Sequence, residues 1–442
     1  MRRPTEIWED VRSSLWFVPG VFTLGGIGLA WLVLRFDRYA VNAELDPFSW
    51  AYGGGADSAR QILSTIAGSI ITLTGVTFSM TMVALVLAAG QYSPRVLRTF
   101  TRSRISQGVL GAFAATFVYT LLILRSIRGG DDAYVPAVGV TGAIMLAIAD
   151  LGLLFLFIHH IATSIQASSV IQTVADETRE EIDRLFSLDA APVGPAEIQA
   201  TSAPTPEGHR ILSNRTGYIE SIDAEALVRA ARDSATVVDL RLGPGDFAAR
   251  GTPLAVAVEP ADAETLDEAV LAAVSTGRQR SIPNDPAYGF RQLVDIAIKA
   301  LSPGINDPAT AANAIDHLGA LLVRLADADW PLTEFRDADG TVRLRTPPAT
   351  FADYLDLATA EVRRYGRADR VALGRLIDAL ARTALATARP DRREAVWTQA
   401  LAIREAAARH LEAPADRAFV EAHFGRLAAE LGRDPEPEGG PP

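Results

Sequence analysis

Four long apolar runs lie within the first 160 residues: Leu15 to Phe36, Ile62 to Ala89, Val109 to Leu124 and Pro136 to Ile158. A helix needs about 20 apolar residues to cross the hydrocarbon core of a bilayer. The first, second and fourth runs reach that length. The third is shorter and can still cross if Arg125 reaches back to the interface. One such run could be a buried core helix, but four in succession predict a polytopic α-helical membrane domain over residues 1–160.

The rest of the chain has a different character. Residues 1–160 carry 12 arginines against 10 acidic residues, and residues 161–442 carry 30 basic against 43 acidic residues. An acidic soluble half argues against nucleic acid as a partner, because phosphate binding needs basic patches. There is no cysteine, which removes disulfides, thiolate catalysis and cysteine-based metal sites.

Arginine placement predicts the topology. Arg2, Arg3 and Arg12 precede the first span, and Arg95, Arg98, Arg102 and Arg104 fill the second loop without an acidic residue. The other two loops hold Arg38, Arg60, Arg125 and Arg128, balanced by acids. The expectation is a bacterial inner-membrane protein with both termini in the cytoplasm. The first run lacks a small-x-small cleavage site and reads as a true span.

The fourth run continues through Ile161, Ile165, Ile171, Val174, Ile182 and Leu185 without proline or glycine. This predicts one helix over about 138–187, whose cytoplasmic extension (161–188) needs a partner for its apolar stripe, a second copy of itself being the simplest. Residues 189–208 read as a linker. A small β domain is expected over 209–260, with strands at Tyr218 to Ile222, Thr236 to Leu242 and Pro253 to Val258 and a helix at about 224–232. A mainly helical domain follows over 261–432, with helices near 261–275, 286–301, 308–327, 350–364, 367–388, 391–411 and 414–431 and a lone strand at Gly340 to Arg345. Residues 433–442 read as a disordered tail. The whole is a membrane domain plus a cytoplasmic α+β region.

Two groups of residues stand out as candidate sites. In the second run Thr65, Gly68, Ser69, Thr72, Gly75 and Ser79 fall within about 120° of one another on a helix. Such a face suits close helix packing or the lining of a path for an ion or small polar ligand. Asp150, inside the fourth run, is expected to face the bundle interior, where span-two hydroxyls could bond it. His159 and His160 point to different helix faces and do not predict a metal site.

In the soluble half the tetrapeptide Asn-Asp-Pro-Ala occurs at 284–287 and again at 306–309. Asp before Pro starts a helix, because the carboxylate caps free N–H groups and proline suits the first turn. Two such helix starts could also converge on an anion if Arg278, Arg280 or Arg291 offset the aspartates. Between them Arg291, Asp295 and Lys299 share a helix face, and Lys299 is the sole lysine beside 41 arginines. A cleft formed by this face with Asn306 and Asp307 is the expected soluble site. The chain shows no hydrolase, kinase or nucleotide-loop motif and no complete catalytic constellation, so neither an enzyme nor a cofactor is expected.

The chain resembles a bacterial family of membrane proteins, Domain of Unknown Function 2254. The likeness lies in Trp16-Phe17-Val18-Pro19, Ser79-Met80, Gln91-Tyr92-Ser93-Pro94-Arg95 and His159-His160-Ile161. It extends through Gly217-Tyr218-Ile219, Gly245-Asp246-Phe247 and residues 302–308. It implies a multi-span inner-membrane protein with a soluble C-terminal region and implies no activity. On the residues, the expected function is a homo-oligomeric channel- or transporter-like protein regulated by its cytoplasmic domain. The alternative is a membrane-anchored sensor or scaffold. The expected partners are the lipid bilayer and further copies of the chain.

Overall fold

A computed structural model describes residues 17–42, 52–91, 104–128, 134–164, 166–186, 208–330 and 333–434. The chain divides into two compact units, Met1–Ser169 and Val170–Pro442.

The first unit consists of α1 (Phe17–Asn42), α2 (Ala56–Gln91), α3 (Arg104–Ser126) and α4 (Ala137–Ser164). All four are long and apolar enough to cross a membrane, with spans at Phe17–Ala40, Ala56–Leu87, Ile105–Ser126 and Ala137–Thr163. They pack through small residues. A Cβ on Gly26 of α1 would lie 2.7 Å from the Ala115 carbonyl oxygen of α3, and one on Gly111 would lie 3.0 Å from the Phe22 ring. Without a hydrophobic drive between helices in lipid, such close approach is what holds them. Asp37, buried at the end of α1, accepts hydrogen bonds from Val138 N at 3.1 Å and Gly139 N at 2.9 Å. It thereby caps the first turn of α4.

The continuous fourth helix expected over 138–187 is replaced by two helices, α4 and α5 (Ala167–Leu185). The junction is rich in hydroxyls, which compete for backbone groups and loosen a helix. Thr163 Oγ1 donates to the His159 and His160 carbonyls at 3.1 and 3.0 Å. The apolar stripe of α5 also has an intrachain partner, contrary to expectation. Val170, Ile171, Val174, Thr178 and Ile182 are buried. A Cβ on Gly289 would lie 1.8 Å from Thr178 Oγ1, so α5 is pressed onto a later helix of the second unit. Phe186 adds an edge-on contact with Trp330, centroids 4.9 Å apart.

The second unit continues with β1 (His209–Leu212), β2 (Gly217–Ile222), α6 (Ala224–Asp233), β3 (Val238–Leu240), β4 (Phe247–Ala248), β5 (Pro253–Ala257), α7 (Ala263–Ala273) and β6 (Val274–Gly277). Next come α8 (Pro286–Ala300), α9 (Pro308–Ala326), β7 (Glu334–Arg336), β8 (Val342–Arg345), α10 (Phe351–Tyr365), α11 (Arg370–Leu385), α12 (Pro390–His410) and α13 (Pro414–Leu431). The strands form a five-stranded sheet, β1-β5-β3-β8-β7, and a three-stranded sheet, β4-β2-β6. The strand expected at 340–345 is not alone. It pairs antiparallel with β7 and parallel with β3. Ile211, Leu227, Val238, Leu254, Val270 and Leu344 make the core between these sheets, α6 and α7.

The helices α8 to α13 stack by ordinary apolar burial, but a buried arginine also takes part. Arg392 is 2% exposed. Its guanidinium donates to the carbonyls of Leu325, Ala326 and Ala328 at 3.0, 2.7 and 2.8 Å. Leu325 and Ala326 lie in the last turn of α9, where carbonyls run out of helical partners, and Ala328 lies just beyond it. The linker at 189–207, residue 208 apart, and all of the tail beyond Asp434 lie outside the described residues.

Candidate functional site

In the membrane unit, the small and hydroxyl face of α2 points away from the other three helices. Ala59, Leu63, Ala67, Ile70, Thr77 and Ala84 are buried, whereas Thr65, Gly68, Ser69, Thr72, Gly75 and Ser79 are all exposed. A Cβ on Gly68 or Gly75 would meet nothing within 4 Å. The glycines that pack this unit are therefore a different set from those on the α2 face. Thr65 and Thr72 donate to the Gln61 and Gly68 carbonyls of their own helix at 2.8 and 2.9 Å. Their oxygens keep lone pairs for an outside donor.

Asp150 is 2% exposed and lies midway along its span rather than toward one end. It is hydrogen-bonded to Thr116 of α3, not to a span-two hydroxyl. Its Oδ2 and the Thr77 Oγ1 are buried without a hydrogen-bond partner among the described residues. The structure thus separates two features that the sequence groups together: Asp150 faces inward, and the Thr65, Ser69, Thr72 and Ser79 face is outward.

In the second unit both expected caps form. Asp285 accepts from Tyr288 N at 3.2 Å and Asp307 from Thr310 N at 3.1 Å. Arg291 reaches Asp295 at 3.0 Å and Glu361 of α10 at 2.6 Å. Asp295 is 7% exposed, Lys299 and Asp307 are half-buried, and Asn306 is exposed. Arg291 thus spends its fork on two carboxylates, one of which the sequence reading did not include.

The densest polar cluster gathers around the first cap. Arg280 grips Asp285 with two hydrogen bonds, Nε to Oδ2 at 2.8 Å and Nη2 to Oδ1 at 3.0 Å. Asn284 has φ 64°, and its N–H donates to Glu181 of α5 at 2.6 Å. Its side-chain amide donates to the Glu220 carbonyl of β2 at 3.1 Å, and its Oδ1 accepts from Arg184 at 2.8 Å. Arg184 also pairs with Glu181. Asp285 is 6% exposed. Burial pushes its carboxyl above the ordinary value, while Arg280 and Tyr288 N–H pull against that shift. One tetrapeptide therefore ties together α5, the strand β2 and the helical stack. With Arg280 committed to Asp285, this helix start serves as a junction between elements of the unit. The sequence signal for it was present in Arg280 and Asn284, but Glu181 is about 100 residues away along the chain and gave none.

Comparison with known proteins adds the wider frame. A family model described as "Predicted membrane protein (DUF2254)" matches residues 12–382. Uncharacterized proteins of Mycobacterium bovis and Mycobacterium tuberculosis are each 30% identical over 427 residues, covering 95% of this chain and 81% of theirs. No solved structure matches the chain.

Proposed function

The chain belongs to the family of predicted membrane proteins DUF2254, and on that premise we propose that it is a homo-oligomeric channel- or transporter-like protein of the bacterial inner membrane. In this reading both termini are cytoplasmic, and copies meet along the outward face of α2. There Thr65, Ser69, Thr72 and Ser79 line a polar path, and the cytoplasmic unit regulates it. The supporting observation is that this hydroxyl and glycine face is exposed, while α2 packs on its own unit through Ala59, Leu63, Ala67, Ile70, Thr77 and Ala84. Hydroxyl and glycine residues facing lipid bring no packing gain, whereas facing copies they permit close approach or hydrate an ion.

The separation of Asp150 from that face favours a second reading, in which the four helices anchor and assemble a sensor or scaffold without a path. One experiment distinguishes them. Thr72→Leu in proteoliposomes leaves the assembly intact and abolishes or alters ion flux if the face lines water. If the face only packs, the same change disrupts assembly, measured as mass in nanodiscs. A wild-type monomer without flux removes the channel reading. Reporter fusions near Gly54 and after residue 190 test the orientation independently.

A further inference from the structure

One end of the membrane unit carries a pocket built from three arginines over two leucines. Leu34, Arg38, Leu122, Arg125, Ser126, Arg128 and Tyr134 line a cavity of about 660 Å³. The fold makes this wall in a simple way. α1 and α3 lie against each other with Phe22 beside Gly111 and Gly26 beside Ala115, so both helices run in the same direction and leave the apolar window together. On each of them a leucine sits about one turn deeper than an arginine: Leu34 below Arg38, and Leu122 below Arg125. The third arginine is set by the chain beyond α3. Arg128 and Tyr134 exchange backbone hydrogen bonds of 3.1 Å in both directions, which fixes these two residues side by side.

The pocket therefore has an apolar floor within the span and a cationic rim where the spans end. Arg38, Arg125 and Arg128 are exposed, and the lining contains no carboxylate among the described residues. Asp37, the residue before Arg38, is occupied with Val138 and Gly139 N–H. The Tyr134 hydroxyl is shielded, faces Arg38, and makes no hydrogen bond of regular geometry among the described residues. Guanidinium forks match phosphate oxygens in two-point contacts. A free phosphate would use the rim alone, whereas a phospholipid uses both layers, with phosphate on the arginines and acyl chain along the leucines. We propose that this pocket binds the phosphate headgroup of an anionic phospholipid.

The test uses the full-length protein, purified and delipidated in mild detergent, with native mass spectrometry reading bound phosphatidylglycerol. Wild type retains phosphatidylglycerol in preference to the net-neutral phosphatidylcholine. R125Q and R38Q each weaken retention about fivefold, and the triple variant R38Q/R125Q/R128Q weakens it about a hundredfold. Arg60→Gln, at the start of α2 and outside the pocket, leaves retention unchanged. The single variants alter exposed side chains, so they report even where the triple variant does not purify. Equal retention by wild type and the single variants overturns the proposal, as does an equal loss in Arg60→Gln. Protection by inorganic phosphate equal to that by phosphatidylglycerol overturns the lipid as the source.

Discussion

Residues 284–287 and 306–309 spell the same tetrapeptide and have the same local form. Asn284 and Asn306 both adopt positive φ, 64° and 49°. Both aspartates cap the helix that follows, and both prolines open it. Asparagine tolerates the left-handed region, and Asp-Pro suits a helix start, so short-range chemistry explains everything the copies share. Their surroundings differ in every other respect. Asp285 is buried and gripped by Arg280, with Glu181, Arg184 and Glu220 around Asn284. Asp307 is half-buried, its second oxygen accepts from the Thr310 hydroxyl at 2.6 Å, and Asn306 is exposed. A motif therefore specifies a backbone turn, and tertiary context decides whether that turn becomes a junction.

The largest expected effect comes from removing the buried carboxylate. Asp285→Ala leaves the half-buried Arg280 without its carboxylate and α8 without its cap, which costs about 3 kcal/mol. Denaturant unfolding of the full chain in detergent, with hydrogen exchange along α5 and α8, should show this loss spreading to α5. Protection of α5 equal to wild type would mean that Asp285 is only a cap. A second change approaches the same point from the other side. Gly245 has φ +89°, and a Cβ there would lie 2.3 Å from Asp285 Oδ2. Gly245→Ala should cost about 1–3 kcal/mol by forcing this contact apart, whereas Gly304→Ala, with open space around it, should be nearly silent.

Asp307→Ala should cost only about 1 kcal/mol, the value of a lost cap, with exchange rising in the first turn of α9 alone. A loss equal to that of Asp285→Ala would abolish the contrast between the two copies. The finest test is titration. Burial raises the Asp285 carboxyl above its ordinary 3.8, whereas the hydroxyl and N–H of Thr310 lower that of Asp307. The signs are therefore opposite. The Asp307 contribution is complete above 3.8 and fades as pH falls through its lowered value. The Asp285 titration adds stability below 3.8 and loses it as pH rises through its raised value, with Arg280, Asp246 and Tyr288 N–H acting on it. Carboxyl carbon shifts followed by NMR should show Asp285 gaining its proton first on acidification. Coincident midpoints would remove the distinction.

The membrane unit shows the same division between local and long-range causes. Its four spans follow from length and hydropathy, because a bilayer demands about 20 apolar residues whatever the neighbours are. The direction in which the α2 stripe faces does not. Thr65 to Ser79 look alike on a helical wheel whether they pack inward or point outward, and only the competing face of Ala59, Leu63 and Ile70 decides it. The pocket of Arg38, Arg125 and Arg128 likewise needs two helices in register and the backbone pairing of Arg128 with Tyr134.

What the sequence by itself determined is the set of features that depend on residues a few positions apart. These are the apolar spans, the seven helices after residue 260 and the two Asp-Pro caps. Only the tertiary structure decided the burial of α5 on its own chain and the pairing of β3 with β8, which joins Val238 to Leu344. It also decided the different fates of Asp285 and Asp307. The physical reason is range. A cap or a helical period is satisfied within one turn, so its residues announce it. A partner across a long loop is chosen by competition among all surfaces that could cover it, and a loop's length adds only slowly to the cost of that choice.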